Sequence, residues 1–401
     1  MEAVLLGNGF DLHHKFPTMY INFLNVVKFI IDNKDLRYRY VSEVLGNSTL
    51  HDNDPFVKKC YETHKTIYAE CEIPSDIDKI KEKASDNVWF NFLYNSVNKN
   101  IGWIDFEKEI VKVIKAFAAF FDNAELEMLN LGEITFDLNE ISEDPSDVYT
   151  LQQFDYFFNN SNKYSNVYHC KDVKTDYTYE CPVGSGIYEI DKEKIISELY
   201  QSLRELADLL KTYLYCFVDI PLRKMSEMMY KPTCKSYPYP NKIFTFNYTQ
   251  TYELIYRSGQ VYHIHGKSVG DIILGVNPDE TDELYEMDTT FLQFKKYFQR
   301  AFFKTDLDYL NYVETYIRMP QTSRLELTVI GHSLDVTDED IIRQLFDQSI
   351  KITVLYHDEI SVKNQIKNLV EIYGKKEFDR LRLEKKLTFV PQAEMTWSIQ
   401  E

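Results

Sequence analysis

One short apolar run, Ala3-Val4-Leu5-Leu6, stands alone near the start of the chain and stops at Gly7-Asn8-Gly9. An uninterrupted run that short, closed at once by glycine, fits a strand buried on both faces of a parallel sheet and entering a tight turn. Such a strand needs neighbours, and comparable runs resume only at Ile243. They are Ile243 to Phe246, Val261 to Ile264, Ile272 to Leu274, Glu326 to Ile330, Ile352 to Tyr356 and Leu387 to Val390, with helical spacing between several of them, notably Asp338 to Phe346. Strands alternating with helices imply a parallel sheet. The stretch between is mainly helical in pattern, clearest in Trp103 to Phe121 and in Lys192 to Phe217, where Ile195, Leu199, Leu203, Leu206, Leu210 and Leu214 share one face. The expected architecture is a Rossmann-like α/β core, residues 1–24 and 241–401, interrupted by a mostly helical insertion at 25–240.

Charge narrows the partners. Lys+Arg 45 against Asp+Glu 63 gives a formal charge of −18, which repels phosphate backbones and argues against general nucleic-acid binding. No apolar run approaches the roughly 18 residues that span a bilayer, so no membrane partner is expected. The opening Met1 to Leu6 lacks the basic region of a signal peptide. Six cysteines (Cys60, Cys71, Cys170, Cys181, Cys216, Cys234) form no C-x-x-C pair. They read as reduced thiols of a cytoplasmic protein with no metal. Ala116 to Asn162 contains no Lys or Arg and reads as a solvated acidic surface or loop. Lys295, Lys296, Arg300 and Lys304, interleaved with Phe294, Phe298, Phe302 and Phe303, read as an amphipathic helix covering a pocket.

Three clusters place polar residues directly after an apolar run, where open α/β sheets bind ligands. Gly7-Asn8-Gly9-Phe10-Asp11 has two of the glycines that let backbone amides approach a pyrophosphate, but Leu12 stands at the third; the plain alternative is a strand-to-helix turn. Thr245-Phe246-Asn247-Tyr248-Thr249 and His263-Ile264-His265-Gly266 would bring an amide and an imidazole to one rim if their strands are neighbours. His263 and His265 invite a metal reading, but no third ligand is evident nearby. Gly331-His332-Ser333-Leu334-Asp335 invites comparison with a nucleophile elbow, yet Asp335 replaces its second glycine, so Ser333 reads better as a ligand-binding serine. Asp335, Asp338, Glu339 and Asp340 read as caps and first-turn acids of a helix.

Together these clusters resemble the sirtuin-like nicotinamide-dinucleotide fold. Gly7-Asn8-Gly9-Phe10-Asp11 through Phe16-Pro17 is similar to its opening glycine segment; Thr245-Phe246-Asn247-Tyr248-Thr249, Ser258-Gly259 with His265-Gly266-Lys267-Ser268, and Gly331-His332-Ser333-Leu334 follow in order. More closely, Gly-Asn-Gly-Phe-Asp-Leu, Phe-Asn-Tyr-Thr, Ile-His-Gly and Ile-Gly-His-Ser-Leu-x-x-x-Asp resemble the AbiH family of bacterial abortive-infection proteins, with Trp103-Ile104-Asp105-Phe106-Glu107 included. That resemblance implies phage defence by sacrifice of the infected cell. No cysteine follows Cys234, so the zinc ribbon of sirtuin deacylases is absent, which argues against deacylation. Asp11 replaces the sirtuin Ser, and Thr249 the Asp of the nicotinamide pocket.

The resemblance implies hydrolysis of NAD, as substrate, at the nicotinamide–ribose bond. Its catalytic residues would be Asn247, holding ribose hydroxyls and a water, His265 as general base, and Asp11 at the ribose. Nucleotide-binding residues would be Gly7, Asn8, Gly9, Phe10, Thr245, Gly331 and Ser333. The rival reading is a module that senses a nucleotide, with a phage protein as trigger or a second copy as partner. A nuclease is a third class, without a clear carboxylate cluster on the core.

Overall fold

The computed structural model describes residues 2–33, 35, 37–75, 77–99, 106–124, 135–160, 170–181, 184–185, 188–238, 240–257, 259–277, 289–317 and 325–399. Trp103 to Asp105, and Ser258, lie outside the described residues. The core is a six-stranded parallel sheet: β1 (Glu2–Leu6), β2 (Lys242–Thr245), β3 (Gln260–His263), β4 (Leu325–Ile330), β5 (Ser349–Tyr356) and β6 (Leu387–Pro391). Their spatial order is β6-β5-β4-β1-β2-β3. Read from the far edge this is 3-2-1-4-5-6, the doubly wound order of dinucleotide-binding folds, whose switch point lies between strands 1 and 4.

Both faces of the sheet are covered, as its sequence requires. Ala3 and Leu5 join Phe244, Leu327, Val329 and Ile352 under helices Leu307–Ile317, Glu339–Asp347 and Glu359–Leu383. Val4 and Leu6 turn to the other face with Phe10, Ile243, Tyr252 and Ile330. Two-sided burial explains why β1 is apolar throughout instead of alternating.

The expected strand at Ile272 to Leu274 does not form; Ile272 makes only an isolated bridge to Gly266. Apart from the Ile273 amide, which donates to His265 O at 2.9 Å, the segment's backbone bonds go to side chains. Arg204 donates to Ile272 O at 2.7 Å, Tyr248 to Ile273 O at 2.6 Å, and Gln299 bonds both N and O of Leu274.

The insertion is mainly helical, with short strands around 135–190. Its first long helix, α2 (Tyr20–Asp32), begins before residue 25, and its core takes in Ile272, Leu274, Phe291 and Phe294 from beyond residue 241. The acidic stretch carries a helix (Pro145–Gln153) with Leu151 buried, while Glu143 and Asp144 are exposed. A long helix, Lys192–Leu214, runs on through a π-helical turn, Tyr215–Asp219, into Ile220–Glu227. Strand Tyr230–Thr233 pairs antiparallel with Thr396–Ile399, fastening the insertion's end to the chain's last strand. Among the described residues no helix is long and apolar enough to cross a membrane. Cys60, Cys71, Cys181 and Cys234 are free thiols.

Candidate functional site

Parallel register sets one level for all the polar clusters. Leu6 pairs with both Thr245 and Ile330, and Thr245 pairs with His263. Gly7, Phe246, Gly331 and Ile264 therefore follow together at the carboxyl rim, and Asn247 and His265 stand one step further on neighbouring strands. The sequence clusters converge as expected.

At the switch point the two glycine turns press on each other. The Gly7 amide donates to Ile330 O at 3.1 Å and the Gly9 amide to Gly331 O at 2.8 Å. A Cβ on Gly9 would lie 2.7 Å from Gly331 Cα, and one on Gly331, whose φ is +65°, would lie 2.1 Å from Phe10 N. These glycines serve the contact of one backbone with another. The other loop residues are also engaged: Asn8 exchanges hydrogen bonds with Thr18, and Phe10 is buried against His14, Tyr237, Tyr252 and Tyr256. Ser333 is exposed, and its carbonyl accepts from Asn368 at 3.0 Å.

Asp11, one turn into helix α1 (Asn8–His13), is buried beside a tight recess that Thr245, Asn247, Thr249, Thr251 and Glu253 also line. Thr249 donates to Asp11 Oδ2 at 2.6 Å and Thr251 to Thr249 at 3.1 Å, while Asp11 Oδ1 is buried without a partner. Burial pushes the Asp11 carboxyl up to about 7, although the two hydroxyls pull it down. Asn247 donates to Gly7 O at 3.0 Å, and its own carbonyl faces His263 Nδ1 at 3.0 Å. His263 Nε2 lies 2.7 Å from Glu253 Oε1, so this imidazole is turned to the recess. Neither side chain joins the set around His265.

His265 packs instead against Phe246, with ring centroids 4.9 Å apart, and on that ring's other neighbour, His332, the distance is 4.6 Å. Between the imidazoles lies the buried carboxylate of Asp338, with Oδ1 3.6 Å from His265 Nε2 and Oδ2 3.6 Å from His332 Nε2. Lys296 Nζ stands 2.9 Å from Asp338 Oδ1 and 2.7 Å from Glu107 Oε1. Burial holds His265 well below its usual range and so keeps it neutral, a free base, with Asp338 pulling the other way. Burial opposes ionisation of Asp338, but Lys296, His332 and His265 together outweigh it and hold the carboxyl well below the usual range. His265 Nε2 has no hydrogen-bond partner.

The helix expected to cover a pocket exists as Lys296–Phe303, and its cations lie inward. Lys296, Gln299 and Arg300 are buried, whereas Tyr297 is 47% and Phe302 68% exposed. Ion pairs explain the burial: Arg300 pairs with Asp340 and lies 3.7 Å from Asp306, and Lys296 pairs with Asp338 and Glu107.

Sequence reasoning missed Lys296, Asp338 and His332 as site residues, and Asp219 from the insertion. Asp219 lies on the π-helical turn, is buried, accepts from Ser268 and from the Gln250 amide, and is pushed up to about 6 by burial. Its signal was a lone acid in the apolar run Phe217-Val218-Asp219-Ile220. Among the described residues, no group of three or more His, Cys, Asp or Glu is placed to hold a metal ion.

Fold and rim define a Rossmann-like α/β protein with polar clusters at the carboxyl end of its sheet and a large helical insertion. Residues 4–356 match the family model described as bacteriophage abortive infection AbiH, and the chain belongs to that family. No curated protein and no solved structure matches it.

Proposed function

We propose that the chain acts in phage abortive infection and that its core does so by hydrolysing NAD at the nicotinamide–ribose bond. Family membership supports the defence role. The observation that carries the chemistry is the neutral, buried His265 at the carboxyl rim of a 3-2-1-4-5-6 sheet, its Nε2 3.6 Å from the Asp338 carboxylate. General bases of this kind contribute typically about 10²–10⁴-fold.

In this reading water attacks C1′ of the ribose and gives a proton to His265. The C1′–N bond breaks, and its electron pair neutralises the pyridinium as nicotinamide leaves. Asn247 and Asp11 hold the ribose hydroxyls from the recess side. That recess is too tight to hold even a water molecule, far short of a small-molecule site, so NAD enters by opening it and exchanging the Asn247–Gly7 hydrogen bond.

The test is incubation of the full chain with NAD. Equimolar nicotinamide and ADP-ribose support the reading. Calorimetric binding of NAD with no release of nicotinamide favours the sensing module.

A further inference from the structure

Among the acids that open helix Glu339–Asp347, Asp338 behaves differently from its neighbours. Asp335 caps the preceding turn, accepting from Thr337 N at 3.2 Å, and Glu339 and Asp340 occupy the first helical turn. Asp338 holds the N-cap position, yet its side chain makes no capping hydrogen bond. It turns inward and spends its two oxygens on Lys296, His265 and His332. Burying a carboxylate away from the cap is costly, and a helix gains nothing from it.

Asp338 is the charge near His265 that favours a proton on its imidazole, while Lys296 and Arg300 oppose one. Lys296 is shared between Asp338 and Glu107, so one buried cation faces two carboxylates. The next cation, Arg300, is engaged by Asp306 and Asp340. His332 is fixed by the Leu334 amide, which donates to its Nδ1 at 2.8 Å and leaves the Nε2 proton facing Asp338. An imidazolium at His265 would balance the excess negative charge.

We propose that Asp338 is the positioning residue for His265: its carboxylate, clamped by Lys296, orients the imidazole with Nε2–H inward and stabilises the imidazolium formed in the reaction. The proposal rests on the NAD-hydrolase reading for its kinetic consequence alone. When water attacks C1′, its proton passes to His265 Nδ1, the C1′–N electron pair leaves with neutral nicotinamide, and the Nε2–H draws closer to Asp338 from 3.6 Å. Catalytic hydrogen bonds are often long before substrate binds and tighten in the complex. Glu107, on the insertion's helix Phe106–Ala124, holds Lys296 from the far side, so the insertion builds part of this support.

Asp338→Asn in the full chain tests the assignment in two ways. Imidazole nitrogen NMR of histidine-labelled protein is expected to show His265 as the Nε2–H tautomer in the wild type, with that preference lost in Asp338→Asn. Nicotinamide release is expected to lose kcat on the order of 10²–10⁴-fold with KM changed less than about threefold, and its acid limb to move to lower pH once the carboxylate that favours the imidazolium is gone. If Asp338→Asn does not fold, Lys296→Met/Asp338→Asn removes the pair together and carries the same expectations. Wild-type tautomer at His265 in a folded variant overturns the proposal, as does an unchanged kcat in an active enzyme. If the wild type releases no nicotinamide, the hydrolase reading falls while the tautomer still decides the role of Asp338.

Discussion

The Asp11 carboxyl lies among Leu6, Phe10 and Tyr252, out of water, and accepts from the Thr249 hydroxyl. Its pKa rises from the usual 3.8 to about 7, so between those values the folded chain holds a proton that the unfolded chain has released. Stability from this group therefore falls as pH rises through that window, by on the order of 4 kcal/mol in full. Asp11→Asn carries no such penalty, and its melting temperature should gain on the wild type between pH 5 and pH 8; a gap that stays constant would contradict the assignment. Gly331→Ala meets a different obstacle, with a Cβ 2.1 Å from Phe10 N at a φ of +65°. Denaturant unfolding should show a loss of about 3 kcal/mol or more; a loss under about 1 kcal/mol would mean that the two turns part easily. The Gly-Asn-Gly wording announced a tight turn. It held nothing about the backbone of Gly331 that occupies the Gly9 amide, because that partner comes from β4, at the other end of the chain.

At the scale of elements, periodicity was a sound guide wherever apolar residues face a common core. The long insertion helix and β1, β2, β3, β4, β5 and β6 lie where their patterns put them. Pattern misleads where polar groups settle the matter. In Lys296–Phe303 the aromatic spacing does not give the buried side: Asp338 and Glu107 draw Lys296 inward, and neither is near it in sequence. Ile272 to Leu274 looked like a strand until Arg204, Tyr248 and Gln299 took its backbone groups. Lys296→Met should cost about 3–5 kcal/mol by urea unfolding, since it leaves the buried carboxylate of Asp338 beside the half-buried one of Glu107 with no cation between them. A change below about 1 kcal/mol would show that the clamp adds nothing to stability.

For the whole molecule, one topological fact organises the site: the strand order 3-2-1-4-5-6 brings segments from both ends of the chain to a common rim. The wide gap between the first apolar run and the rest made this legible, as did polar residues following each run. Side-chain allegiance was not legible. Asn247 and His265 reach the same level on adjacent strands, but Asn247 bonds Gly7 toward the recess, and His265 lies across Phe246 with Asp338. The central claim is that His265 is the base of an NAD-cleaving site. The direct measurement is nicotinamide release from NAD by the wild type and by His265→Ala, side by side, with both shown to be folded by circular dichroism. Release by the wild type and its loss by about 10²-fold or more in the variant is the expected result; equal release by the two proteins would contradict the claim.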